Sequence, residues 1–501
     1  MPLSNNDFEK ISIPNIGLFD FTGFVNMHVN LPRYDLLKRA TLAKPTIKIL
    51  IHHMKLSIKE KVGYGLGDTA SNFVWALMMN YIMFFYTDIF GITAAAAGTM
   101  LLFARFSDGF VDFFIGAVAD RTKSKYGRFR PYILWLCVPL AVIFVLAFTT
   151  PHFSDWGKLV WAWTTYNLLM LLYSIVNIPY GALSGVMTDD SLERTSLNSY
   201  RMVFAQVGGI VANSSFLMLI HKFGGENQQL GAQRTVMLFA AIAVIFFIIT
   251  FLTTRERIEP PAQQKTKLSG DVKSLLANRP WLMMFIAGIF NITFGVVRGT
   301  ATVYYLKNYL NWNEGRVGTF FLISGLAMIF GAMITKFAVK AIGKKWSYIV
   351  SMAFVAATAV PFYWIQPDQT ELIFVFQILG MIFSGINATL YWAQIADTAD
   401  YGEWKFGVRT TGLIFSATTA SQKAGMGIGA ALAGWILANS GYVANTEQSA
   451  ESIHGILLLF SLIPAAGCLF LACIFMFYGL NEKICKTMRE ELAARRGGLA
   501  T

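Results

Sequence analysis

Charged side chains are scarce in this sequence. Asp, Glu, Lys and Arg make up 14% of its 501 residues, whereas 55% of the residues are hydrophobic. Soluble globular domains carry about 25% charged residues. A deficit of this size over so long a chain excludes an ordinary soluble protein. It indicates a protein embedded in a lipid bilayer.

The few cysteines and histidines form no recognisable disulfide or metal-binding motif. The four cysteines lack paired or metal-type spacing, and the six histidines form no HExxH motif. This pattern excludes a disulfide framework and a zinc site, and no cofactor is expected. The glycines at 425–429 lie in an apolar run, where small residues let helices pack closely, and not in a phosphate-binding loop. We therefore expect a protein that is not an enzyme.

The basic residues follow a pattern along the chain. The formal net charge of +12 could indicate nucleic-acid binding. However, Lys and Arg cluster at 121–130, at 255–279 and in the tail, whereas 88–98, 366–371 and 439–451 contain none. This alternation is typical of cytoplasmic and external loops. It predicts a multi-pass protein of a bacterial inner membrane with both termini cytoplasmic, and no nucleic-acid partner.

Apolar stretches of the length needed to cross a bilayer, about 20 residues, recur along the chain. Twelve are predicted, at 63–87, 93–119, 131–150, 158–186, 198–220, 233–254, 281–306, 316–339, 346–366, 370–396, 410–438 and 452–478. The fold class is therefore an all-α membrane protein. We predict six-helix bundles at 54–254 and 281–478, joined by a cytoplasmic linker at 255–280 and followed by a cytoplasmic tail at 479–501.

Residues 1–53 do not share this pattern, because they contain no sustained apolar run and no signal peptide. Met54 opens a basic segment suited to a cytoplasmic start just before the first span. We expect Met54 to be the initiator and residues 1–53 to be a non-native or disordered extension. The alternative is a short regulatory tail.

Two carboxylates in the second span are candidates for cation coupling. Asp108 and Asp112 are four residues apart, so both lie on one face of a helix. Such a pair can bind Na⁺ or share a proton. The alternative is that they form structural ion pairs with Arg105 and Arg121. Asp120 and Arg121 lie at the predicted membrane edge, which favours a gate or structural ion pair.

A second set of polar residues is suited to binding a sugar. Asp68 in the first span could accept hydrogen bonds from a pair of sugar hydroxyls. Arg201 in the fifth span could donate hydrogen bonds to the same hydroxyls. The alternative is an ion pair that only braces the helices. Tyr173 and Trp392 could stack on a pyranose ring. Lys423 lies deep in an apolar span, which favours a role in binding or coupling.

Six segments of the chain resemble the glycoside–pentoside–hexuronide:cation symporter family of the major facilitator superfamily, whose best-known members are the melibiose permeases. They are 65–72, 84–88, 104–112, 120–131, 176–181 and 397–404. The resemblance runs from about Met54 to the C-terminus. It implies the major facilitator fold.

The resemblance also assigns site residues. It places Asp68, Arg201, Thr418 and Thr419 at the sugar, Asp108, Asp112 and Ser174 at the cation, and Lys423 near the same cavity. Asp397 and Asp400 end the tenth span in a family motif, and we assign them, with Arg105, to gating or structural charge.

The sequence departs from the melibiose permeases at two positions. Asn177 replaces an aspartate at the cation site, and Gly181 replaces a tryptophan that shapes the sugar pocket. A hard cation prefers anionic oxygen ligands, so this favours H⁺ over Na⁺, with Na⁺ at Asp108 and Asp112 kept open. The predicted function is cation-coupled symport of a sugar or glycoside by a monomer. The alternative is an exporter of drugs or lysolipids.

Overall fold

The computed structural model describes residues 55–122, 124–188, 190–257, 275–407 and 411–498. Every regular element in these ranges is helical. The predictions for residues 1–53 and for Met54 lie outside the described residues, as does most of the predicted linker.

The main helices are numbered in chain order. They are α1 Ile58–Asn80, α2 Ala94–Arg121, α3 Arg130–Ala147, α4 Asp155–Met187, α5 Ser191–Gly224, α6 Gln228–Thr253, α7 Arg279–Tyr304, α8 314–342, α9 344–359, α10 Thr370–Phe406, α11 Thr411–Asn439, α12 Ala450–Met476 and α13 Glu482–Gly498. Gly343, with φ 76° and ψ 166°, separates α8 from α9. Glycine tolerates this positive φ without the clash that a Cβ would cause.

The described helices are consistent with the twelve predicted spans. In these ranges, eight helical segments are long and apolar enough to cross a membrane, and the segment 314–363 among them contains both α8 and α9. A ninth candidate is α1 with its continuation Ile82–Phe90, which bends away by 61°. Within α2, Ala94–Arg105 is a further apolar helical stretch among the described residues. An all-α membrane protein is thereby confirmed.

A carboxylate from the start of the linker caps α3. The Glu256 side chain accepts hydrogen bonds from the backbone N–H groups of Arg128, Phe129 and Arg130 at 2.8, 2.8 and 3.0 Å. Negative charge at a helix N-terminus satisfies unpaired N–H groups and the helix dipole. The cap therefore ties the linker to the α2–α3 loop.

Small residues bring α2 close to α11, and α5 close to α8. A Cβ placed on Gly98 of α2 would lie 3.1 Å from the carbonyl oxygen of Ala430 in α11. A Cβ on Gly318 of α8 would collide with the carbonyl oxygen of Ser214 in α5. Both approaches lie in the membrane half farther from Glu256 and the linker. Helices of the set α1–α6 therefore touch helices of the set α7–α12 on that side, here called the outer side.

Candidate functional site

An ion pair links α1 to α5. The Nε atom of Arg201 lies 3.1 Å from Oδ2 of Asp68, which is 6% exposed. The Arg201 guanidinium lies over the Tyr180 ring, 5.3 Å from its centroid. The two residues predicted to bind sugar therefore contact each other directly, in the geometry that also fits the bracing alternative.

The Asp68–Arg201 pair is packed against tyrosine rings on one side and borders open space at Gly181 on the other. Tyr64 and Tyr180 stack with ring centroids 4.7 Å apart, and each hydroxyl donates to the backbone carbonyl of the other residue. By contrast, a Cβ on Gly181 would meet only Nη1 of Arg201, at 4.0 Å. The Arg201 side chain is 27% exposed. The guanidinium is thus held in place while part of it remains accessible to a ligand.

Asp108 lies at the centre of a second charged group. Its Oδ2 atom is 3.2 Å from Nζ of Lys423 in α11 and 3.7 Å from Nη1 of Arg105. Ser174 of α4 donates to its Oδ1 at 3.5 Å, a long hydrogen bond. The structure therefore brings together four residues that the sequence assigned to coupling, binding or structural charge, from three helices.

Arg105 is fixed by aromatic rings as well as by Asp108. Its guanidinium lies 5.4 Å from the centroid of Trp75 and 5.8 Å from that of Tyr166. Trp75 in turn stacks on Tyr173, with centroids 5.6 Å apart. The sequence analysis missed Trp75. Its only signal is its place two turns after Asp68, on the same face of α1.

Asn177 follows Ser174 by three residues on α4. Among the described residues, its buried Nδ2 atom has no hydrogen-bond partner. A buried donor left in this state is costly, and such donors often await a ligand or water. The side chain of Asp112, the second predicted coupling carboxylate, lies outside the described residues. In the described ranges, no group of three or more His, Cys, Asp or Glu side chains could hold a metal ion.

The remaining residues assigned to the sugar differ in accessibility. Trp392 is 41% exposed and stacks on Phe415, with centroids 6.1 Å apart. Thr419 is exposed, and its hydroxyl donates to the Phe415 carbonyl. Thr418 is fully buried, with its hydroxyl bonded to the Ile414 carbonyl. The structure thus brings Trp392 and Thr419 to an accessible surface, but not Thr418.

The predicted gate charges fall into two groups. Nζ of Lys344, at the start of α9, lies 2.6 and 2.8 Å from the two carboxylate oxygens of Asp397 in α10. This ion pair lies on the linker side, and Asp400 lies within the same end of α10. The side chains of Asp120 and Arg121 lie outside the described residues.

A polar cluster lies on the outer side, where the continuation of α1 meets the α11–α12 loop. The Tyr442 hydroxyl donates to Oδ1 of Asp88 at 2.5 Å, and Asn445 donates to the Asp88 carbonyl at 2.7 Å. The Thr87 and Tyr304 hydroxyls are 2.7 Å apart. Burial and then the Asp88 carboxylate raise the pKa of Tyr442 above its ordinary value, so this hydroxyl stays protonated and remains a donor.

Comparisons with known proteins identify the family of the chain. Residues 63–482 match the family described as MFS/sugar transport protein. The chain is 37% identical over 454 residues to the inner membrane symporter YicJ of Escherichia coli K12, covering 87% of this chain and 95% of that protein. It is 34% identical over 438 residues to the isoprimeverose transporter of Lactiplantibacillus pentosus, covering 86% and 91% of the two chains.

A solved structure shows the same fold. The crystal structure of a D-xylose-proton symporter matches with a TM-score of 0.61 at 12% identity, covering 84% of this chain and 98% of that one. Charged residues inside membrane spans mark functional sites such as substrate or ion pathways. The chain belongs to the MFS/sugar transport protein family. The family resemblance, the major facilitator fold and the prediction that the protein is not an enzyme are confirmed.

Proposed function

We propose that this protein carries a sugar or glycoside into the cell together with a cation, by alternating access. The observation that supports it best is the placement of two charged groups along one helix face. Asp68 pairs with Arg201, and two turns later Trp75 contacts Arg105 of the Asp108 group. Two ligand sites that share a helix can influence each other, as symport requires.

The Asp68–Arg201 pair is the proposed sugar site. Arg201 supplies donors in a planar fork and Asp68 supplies acceptors, which together match vicinal hydroxyls. The space beside Gly181 leaves room for the glycone, and the exposed ring of Trp392 offers a stacking face. Tyr173 and Thr419 complete the proposed set. Thr418 contributes through packing, because it is fully buried.

The Asp108 group is the proposed coupling site, with Asp112, Ser174 and Asn177 contributing. In this conformation Lys423 occupies the position that a cation would take beside Asp108. A proton that neutralises Asp108 would weaken this ion pair and release Lys423. Because Asn177 replaces a carboxylate and two cationic side chains already face Asp108, we favour H⁺ over Na⁺ as the coupling ion.

The described contacts support an inward-facing state. The close approaches at Gly98 and Gly318 and the Asp88–Tyr442 cluster all lie on the outer side. With the linker and both termini cytoplasmic in an inner membrane, as the basic residues predict, this side faces away from the cytoplasm. Bundles at 54–254 and 281–478 would rock about the site. Because one chain holds both charged groups, we expect the monomer to be the transport unit.

The test is uptake by proteoliposomes of labelled xylosides, glucosides and glucuronides under separately imposed H⁺ and Na⁺ gradients. Uphill uptake driven by H⁺ alone is expected. Uptake driven by Na⁺ alone would keep symport but overturn the choice of ion. If no glycoside accumulates under either gradient, the symport proposal fails and export of drugs or lysolipids becomes the better hypothesis.

A further inference from the structure

Arg298 of α7 is a cation inside a membrane span whose described partners are all neutral. Its Nη2 atom donates to Oε1 of Gln377 at 3.1 Å, and Gln377 donates onward to Ser324 at 2.8 Å. The guanidinium lies 4.6 Å from the ring centroid of Phe460 and 5.2 Å from that of Phe362. No carboxylate in the described ranges forms an ion pair with it. Arg298 is half-buried, and a cation inside a membrane span without a counter-charge is disfavoured.

A partly open cavity of about 250 Å³ adjoins this cation and is lined by residues of α7, α9, α10 and α12. Its polar lining consists of Arg298, Asn291, Ser384 and Asn387, together with the thiol of Cys468. None of the described lining residues is acidic. Neither Asp68 nor Asp108 lines it, so the cavity is separate from the proposed sugar and coupling sites.

Asn387 provides an independent indication of a ligand. Its side chain is only 4% exposed and lies beside Tyr348, and its Nδ2 atom makes no hydrogen bond of good geometry among the described residues. Its Oδ1 atom already accepts from Asn291, at 3.5 Å. The cavity therefore presents a positive charge and an unsatisfied N–H donor, whereas this amide acceptor is already occupied. An anion would satisfy both the charge and the donor.

We propose that this cavity binds a small monovalent inorganic anion of the chloride class, held by Arg298 and Asn387. The volume is several times the share of one water in the liquid, which is about 30 Å³, so the anion can keep part of its hydration. The anion acts as a resident counter-charge that stabilises the packing of α7 against α10 and α12. This site does not depend on the nature of the transported substrate.

The first test is thermal unfolding of the purified protein in detergent, with chloride replaced stepwise by gluconate at constant ionic strength. Ligand binding to the folded state alone raises its stability, and for a chain of this length we expect the apparent Tm to rise by about 1–2 °C between zero and 150 mM chloride. Arg298→Gln should lose this rise. Arg316→Gln, which changes an exposed arginine at the start of α8, should keep it.

Asn387→Asp keeps the test decisive if Arg298→Gln fails to fold. The new carboxylate would supply the counter-charge itself, so this variant should be stable without chloride and insensitive to it. Crystals grown in bromide should show an anomalous peak beside Arg298. Equal Tm values of the wild type in chloride and gluconate, full chloride dependence of Asn387→Asp, or bromide absent from the cavity would each overturn the proposal, leaving a cavity filled by water alone.

Discussion

Replacing Asp108 with Asn should separate sugar binding from energy coupling. The change keeps the shape of the side chain but removes the carboxylate that lies 3.2 Å from Lys423 and 3.7 Å from Arg105. Removing one partner of a buried ion pair destabilises a protein by about 3–5 kcal/mol. Asp108 is fully buried at 3% side-chain exposure and Lys423 is mostly buried at 13%, so the cost should lie toward the lower end of this range. A second change, Lys423→Gln, should restore part of that stability.

The expected effect on transport follows from the driving force. One pH unit contributes about 1.4 kcal/mol per proton and a potential of 100 mV contributes about 2.3 kcal/mol per charge. Together they support accumulation of about 500-fold at one proton per sugar. Asp108→Asn should reduce the ratio of internal to external sugar to about one. The exchange of labelled for unlabelled sugar should continue, because the Asp68–Arg201 pair is unchanged.

The assay is uphill uptake and sugar exchange in the same proteoliposomes. Asp368→Asn, which changes an exposed carboxylate in the α9–α10 loop, serves as the matched control and should behave as the wild type. Uphill accumulation that survives in Asp108→Asn would refute the assignment of coupling to Asp108. A loss of accumulation and exchange together, in a variant with reduced Tm, would indicate a structural role instead.

Three further predictions concern the sugar site and the outer closure. Asp68→Asn should weaken sugar binding about 10- to 100-fold in equilibrium titrations, since hydrogen bonds to charged groups contribute about 1.5–3 kcal/mol; unchanged affinity would remove Asp68 from the site. Gly181→Leu should fill the open space and raise KM with little change in Tm, whereas Gly331→Ala should lower Tm because its Cβ would collide with the Ile382 carbonyl; equal Tm losses would contradict this contrast. Tyr442→Phe removes the hydrogen bond to Asp88 and should increase labelling of cysteines introduced on the outer side; unchanged labelling would show that the bond does not hold that side closed.

The membrane architecture could be predicted from the sequence because each spanning helix satisfies its own backbone hydrogen bonds. Hydropathy and length therefore locate the spans without knowledge of their neighbours. The same reasoning identified the important charges, since Asp68, Asp108, Arg201 and Lys423 cannot face lipid at low cost. What the sequence could not assign was the partner of each charge. Lys423, proposed for binding or coupling, contacts Asp108 across 315 positions.

The tertiary structure alone decided the features that depend on contacts between distant helices. Trp75 carries no charge to mark it, yet it lies between Arg105 and Tyr173. Arg298 could be seen as a charge in a span, but its neutral surroundings and the adjoining cavity arise only when α7, α10 and α12 pack together. Periodicity and hydropathy indicate which residues of a single helix face lipid or water. Which helices meet, and which side of the protein closes, depends on side-chain packing between segments hundreds of residues apart.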